Sequence, residues 1–111
     1  MPSRSWLNRI RDILNAIDEI QGFTEDMTIE DFQADPRTVK AVLYNMAILG
    51  EAARNLPSEV EELYPEIPWV DVRGIRNVEI HEYFQVNLEI IWQTIQEDLV
   101  PLASSLSKLL E

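Results

Sequence analysis

The chain has 111 residues, no cysteine and a formal net charge of −11 at pH 7, from 9 Lys and Arg against 20 Asp and Glu. This length fits one domain, residues 1–111, and the lack of cysteine excludes disulfides and thiolate metal sites. An acidic chain repels nucleic acid at long range, so a nucleic-acid role would need a local basic patch. The sequence has neither a signal peptide nor a run of about 20 apolar residues, which predicts a cytoplasmic protein without a membrane span.

Apolar residues at three- and four-residue steps predict the first helix. Its stripe covers residues 6–20, Ser3 or Ser5 can cap its start, and Gly22 follows its end. These signals together predict one long helix that ends just before Gly22.

Capping signals mark the next two elements. Thr28 and Asp31 have the pattern of a capping box, which predicts a single helical turn. Asp35 before Pro36 predicts a second long helix, because aspartate favours the N-cap and proline the first helical position. An apolar stripe over residues 39–56 carries this helix to its end.

Two shorter signals follow the second long helix. Ser58 and Glu61 repeat the capping-box pattern and predict a short acidic helix. Pro68 then fits the first turn of a third main helix, predicted over residues 69–83.

Asn87 is a predicted N-cap for the fourth main helix, with Val86 and Ile91 placed as a hydrophobic staple. Pro101 should kink this helix, since proline removes one backbone hydrogen bond. Strand-like alternation is absent from the sequence. We therefore predict an all-α fold, an antiparallel bundle of four main helices with short extra helical turns.

The segment RGIRNVEIHEYF, residues 73–84, contains the only histidine of the chain. On a helical wheel Arg73, Arg76, Asn77 and His81 fall within about 140° of arc. A lone histidine in a bundle is commonly a structural hydrogen-bonding group, and arginines one turn apart commonly form a solvated face. Their convergence in a chain poor in positive charge favours an anion site, because the guanidinium fork binds phosphate.

The spacing Arg76-Asn77-x-x-x-His81-x-Tyr83 resembles the R-x4-H-x-Y signature of the HepT-like toxins, a branch of the HEPN ribonuclease superfamily. The flanking segments LGEAARNLP, YPEIPW and NLEIIWQTIQEDLVPL resemble successive blocks of that family in the same order. The resemblance covers roughly residues 5–105 and implies an HEPN-like helical bundle.

The resemblance implies the toxin of a type VII toxin–antitoxin system, a homodimeric endoribonuclease that uses neither metal nor cofactor. Arg76 and His81 are the implied catalytic residues, with Asn77 as the supporting polar residue after the arginine. The implied antitoxin is a minimal (MntA-like) nucleotidyltransferase that transfers AMP to Tyr83. Arg73 is a further candidate for binding RNA phosphate.

Residue chemistry agrees with this activity. RNA is cleaved when its 2′-OH attacks the adjacent phosphate, which requires a base, an acid and a positive charge at the phosphorane. Histidine suits both proton transfers because its ordinary pKa is about 6.5, and arginine stays charged. One chain supplies only His81, so a two-fold dimer would bring the second copy.

Three other classes are weighed against this one. A catalytically inactive subunit that docks a nucleotidyltransferase partner is the main alternative, and the acidic charge favours it. A carboxylate-bridged metal bundle needs Glu-x-x-His pairs, whereas Val78 precedes His81 by three residues. A helix-turn-helix DNA reader needs a row of basic and amide residues on one helix, which the sequence lacks.

Overall fold

The computed structural model describes residues 6–75 and 86–111, and no strand occurs within these ranges. In chain order the helices are α1 (Trp6–Thr24), α2 (Ile29–Gln33), α3 (Pro36–Arg54), α4 (Ser58–Leu63), α5 (Trp69–Gly74), α6 (Leu88–Gln93) and α7 (Leu99–Ser107). A π-helical turn, Thr94–Asp98, joins α6 to α7, and a 3₁₀ turn, Lys108–Leu110, follows α7. The predicted all-α class is confirmed.

Helices α1 and α3 form the centre of the bundle, with their apolar stripes packed together. Their most deeply buried side chains are Ile10, Ile13, Ile17 and Ile20 of α1 and Val42, Leu43, Met46 and Leu49 of α3. Full burial of one aliphatic side chain stabilises the fold by roughly 1.5–3 kcal/mol. This pair is therefore the main hydrophobic support for the shorter helices around it.

The remaining helices attach to this centre through a few large side chains. Phe32 of α2 is fully buried, and its ring lies 5.3 Å from the ring of Trp92 in α6, tilted by 37°. Leu99 and Leu106 of α7 are also fully buried in the same core. The C-terminal helices thus belong to one hydrophobic core with α1, α2 and α3.

Three predicted caps are confirmed. The hydroxyl of Thr28 accepts from the N–H of Asp31, and the carboxylate of Asp31 accepts from the N–H of Thr28, both at 3.1 Å. Asp35 accepts from the hydroxyl of Thr38 at 2.8 Å and from its N–H at 3.2 Å. These bonds lower the pKa of the Asp35 carboxyl. The side chain of Asn87 accepts from the backbone N–H groups of Glu89 and Ile90 in the first turn of α6.

The predicted cap at Ser58 is wrong. Helix α4 begins at Ser58 itself, with Pro57 in extended conformation at the N-cap and no side-chain capping bond. The proline supplies the extended residue that a helix start needs, so the helix begins one position earlier than the capping box requires. The carboxylate of Glu61 instead contacts Arg73.

The predicted end of the first helix before Gly22 is also wrong, because α1 continues through Gly22 to Thr24. The hydroxyl of Thr24 donates to the carbonyl of Ile20 at 2.9 Å. The turn after the helix places Asp26 at φ 63°. Glycine is tolerated inside a helix at a cost of about 1 kcal/mol, which the buried stripe of α1 outweighs.

Two proline predictions are refined by the structure. Pro68 is the N-cap of α5 and not a residue of its first turn. Before Pro101 the helix widens into the π turn, where the N–H of Leu99 donates to the carbonyl of Thr94, five residues back. Proline cannot donate to the carbonyl four residues before it, and the wider turn lies directly ahead of that missing bond. The remainder of the third predicted helix, residues 76–83, lies outside the described residues.

Candidate functional site

The predicted site lies between two segments that the structure describes. The motif residues outside the described ranges are Arg76, Asn77, His81 and Tyr83. Arg73 is inside them, in the last turn of α5. The geometry of the two flanks, α5 before the motif and the start of α6 after it, is therefore what the structure adds to the sequence.

Helix α5 is held by its aromatic first residue. Trp69 is 5% exposed, and its indole N–H donates to the backbone carbonyl of Tyr64 at 2.9 Å. The backbone N–H of Trp69 donates to the carbonyl of Ile67, which is itself buried. Val72, one turn later, is buried in the core against which α5 packs. These contacts fix the direction in which the chain enters the motif.

Arg73 forms an ion pair with Glu61 of α4, through Nη1 of the guanidinium and Oε2 of the carboxylate. The two side chains are 30% and 28% exposed, so solvent screens the pair only in part. A fully exposed pair contributes about 0–1 kcal/mol, and burial adds a desolvation cost to the stronger attraction. The clearest consequence is geometric, since the pair ties the end of α5 to α4.

The sequence indicated Arg73 but not its partner. Glu61 lies twelve residues earlier, across two prolines and the turn between α4 and α5. Helical periodicity relates residues three or four apart, so this contact has no local signal. The local pattern instead predicts Glu61 as half of a capping box.

The second flank begins at Val86, which is partly buried against the core. The side-chain oxygen of Asn87 accepts from the N–H groups of Glu89 at 2.9 Å and Ile90 at 3.3 Å. Ile91, one turn into α6, is 5% exposed. The cap and the buried residue fix the point where the chain leaves the motif, so both flanks belong to the packed fold.

Within residues 6–75 and 86–111, no three side chains of His, Cys, Asp or Glu lie close enough to bind one metal ion together. The same ranges contain no helix that is both long and apolar enough to cross a membrane.

Comparison with known proteins gives a consistent result. A family model described as "Ribonuclease HepT-like" matches residues 13–109. "Probable ribonuclease HepT" of Thermococcus cleftensis is 39% identical over 106 residues, which cover 96% of this chain and 96% of the relative. "Putative RNase MJ0127" of Methanocaldococcus jannaschii is 39% identical over 95 residues, which cover 86% and 78%. A search of the solved structures found no significant match.

Proposed function

Since this chain belongs to the ribonuclease HepT-like family, we propose that it is an endoribonuclease and the toxin of a type VII toxin–antitoxin system. The observation that carries the proposal is the extent of the match, residues 13–109. This range includes Arg76, His81 and Tyr83, the positions of the R-x4-H-x-Y signature.

His81 transfers protons in the proposed reaction, and Arg76 stabilises the charge that develops on phosphorus. A base removes the proton of the 2′-OH, and the oxygen then attacks the phosphate to form a 2′,3′-cyclic phosphate. The bond to the 5′-oxygen breaks, and this leaving group takes a proton from an acid. A charged guanidinium lowers the energy of the phosphorane between these steps. Asn77 is proposed to support the same phosphate.

The proposed active form is a homodimer, because one histidine per chain cannot serve as base and acid at the same time. In a two-fold dimer each residue of the interface meets the matching surface of the second chain. Two copies of His81 facing one cleft would divide the two proton transfers. The two described flanks of the motif are helix ends anchored by buried side chains, which suits a site that needs fixed geometry.

The chemistry of the product ends tests this proposal. Purified protein treated with EDTA is expected to cleave a synthetic RNA and to leave 2′,3′-cyclic phosphate and 5′-hydroxyl ends, identified by mass spectrometry. The same oligonucleotide with 2′-deoxyribose at the cleaved position is the control and is expected to stay intact. An RNA that is never cleaved would favour the inactive docking subunit instead.

Arg73 is proposed to bind RNA phosphate while it remains paired with Glu61. A guanidinium has five N–H donors, and the contact with Glu61 involves only Nη1. The ion pair would then hold the guanidinium in place and leave its other donors for a phosphate oxygen. In this arrangement Glu61 positions Arg73 and does not itself touch RNA.

Exchange of the two charges separates the structural role of Arg73 from RNA binding. The double variant Glu61→Arg/Arg73→Glu is expected to melt close to wild type, because the ion pair is kept in reverse. Its RNA affinity should be lower, and the slope of log Kd against log salt should be smaller by roughly one, as expected for one lost phosphate contact. Affinity is measured by fluorescence anisotropy with an uncleavable 2′-O-methyl RNA.

Arg11→Gln is the matched control, because Arg11 is an exposed arginine of α1. Its salt slope should match that of the wild type if long-range charge plays no part. A charge-exchanged variant that binds RNA as tightly as wild type would show that Arg73 only joins α5 to α4 through the ion pair and does not bind RNA.

A further inference from the structure

A groove of about 890 Å³ runs between α5 and the C-terminal helices. Most of the described residues that line it are apolar, and two of them are well exposed, Val70 at 73% and Ile90 at 59%. Exposed aliphatic side chains beside a groove are a common mark of a binding surface. The lining shared by α5 and α6 therefore has the composition of a docking site.

The rim of the groove is acidic. Glu66, Asp71 and Asp98 line it and are exposed, and none of the three makes an ion pair with another described residue. Lysine and arginine are absent from its described lining. An apolar floor with three carboxylates at the edge is complementary to an apolar surface that carries positive charges at its margins.

The dimensions of the groove favour an elongated occupant. Its C-terminal wall extends from Ile90 through the π turn to Ser105, a distance of about 22 Å at the helical rise of 1.5 Å per residue. A helix of about 15 residues has the same length. Helices commonly bind in apolar grooves by inserting side chains at positions i, i+3, i+4 and i+7.

We propose that this groove binds an amphipathic helix of a protein partner, with its apolar face in the groove and lysine or arginine residues along its edges. RNA is disfavoured here because the rim carries the charge of its own phosphates. A second copy of this chain is disfavoured because it has 9 Lys and Arg against 20 Asp and Glu, and so offers few positive charges to the rim. The proposed cleavage chemistry rests on Arg76 and His81 and not on the lining residues varied below, so the two proposals are tested separately.

The probe is a helical peptide of about 15 residues built from leucine and lysine, with leucines on one face, labelled for fluorescence anisotropy. Wild-type protein is expected to bind it, less tightly as salt rises, because exposed charge pairs are screened. Val70→Ser/Ile90→Ser should weaken binding at least tenfold. Asp71→Asn/Asp98→Asn should weaken it and flatten its salt dependence.

Matched controls lie in the π turn and α7, which also contribute residues to the groove, but outside the lining. Val100 is 58% exposed and Glu97 is exposed, and neither lines the groove. Val100→Ser and Glu97→Gln should therefore change the affinity less than twofold. Circular dichroism checks that each variant is folded. If Val70→Ser/Ile90→Ser does not fold, Asp71→Asn/Asp98→Asn still tests the proposal through the rim.

Four results would overturn the proposal. The first is a peptide affinity that none of the groove variants changes, and the second is equal binding of a peptide with glutamate in place of lysine. The third is a wild-type protein that does not bind the lysine-containing peptide. The fourth is dissociation of the dimer in the variant Val70→Ser/Ile90→Ser, measured by sedimentation. That result would assign the groove to a second copy of the chain.

Discussion

His81→Ala is expected to cleave RNA about 10²–10⁴-fold more slowly than wild type, the range typical of a lost general acid–base group. The loss should lie near the upper end, because in a homodimer the substitution removes the acid and the base together. Arg76 would remain and could still bind the phosphate. The variant should therefore lose turnover while it keeps most of its RNA affinity, measured with an uncleavable RNA.

Folding must be separated from chemistry in this variant. His81→Ala removes no large apolar side chain, so the variant should keep the helical content of wild type. Light scattering on the same samples should show a dimer for both proteins. A monomer that cleaves RNA at full rate would contradict the two-histidine mechanism.

Tyr83→Phe is expected to prevent neutralisation and to leave RNA cleavage within a few-fold of wild type. Phenylalanine keeps the ring but lacks the hydroxyl that would accept AMP. AMP on that hydroxyl would add a phosphate and a nucleoside close in sequence to Arg76. The added phosphate could pair with the arginine and occupy the group that RNA needs, in addition to blocking the cleft by its size.

Intact mass spectrometry after co-expression with a minimal nucleotidyltransferase measures this modification. Wild type should gain the mass of AMP, and Tyr83→Phe should gain none. Tyr44→Phe is the matched control, since Tyr44 is 61% exposed and lies far from the motif in sequence. It should be modified as wild type is. Equal addition to Tyr83→Phe, or none to wild type, would rule out Tyr83 as the acceptor.

The parts of the fold that the sequence predicted well are those controlled by neighbouring residues. The caps at Thr28, Asp35 and Asn87 each depend on contacts within three positions. The stripes of α1 and α3 likewise depend on a repeat of three or four residues. Local chemistry decides these features, so no knowledge of the rest of the chain is needed.

The parts that the sequence missed depend on other elements or on competing signals. Gly22 is a typical helix end, but the buried stripe of α1 carries the helix past it. At Ser58 two start signals compete, and Pro57 takes the N-cap. The pair between Glu61 and Arg73 exists only because α4 and α5 fold back together.

Residue types and helical spacing predicted an anion site at Arg73, Arg76, Asn77 and His81, and the family resemblance implied the catalytic roles and the modification of Tyr83. Arg76, Asn77, His81 and Tyr83 remain predictions, because they lie outside the described residues. The structure adds Glu61 as the partner of Arg73 and the groove beside α5. Neither feature has a sequence signal, since each depends on side chains from separate helices.

The rate of RNA cleavage in EDTA by the purified chain, measured beside His81→Ala prepared in the same way, tests the central claim most directly. The expected result is cleavage by wild type at a rate that EDTA does not change, with a loss of at least about 10²-fold in the variant. Cleavage that stops in EDTA, or that persists at the wild-type rate in His81→Ala, would contradict a metal-independent ribonuclease based on His81.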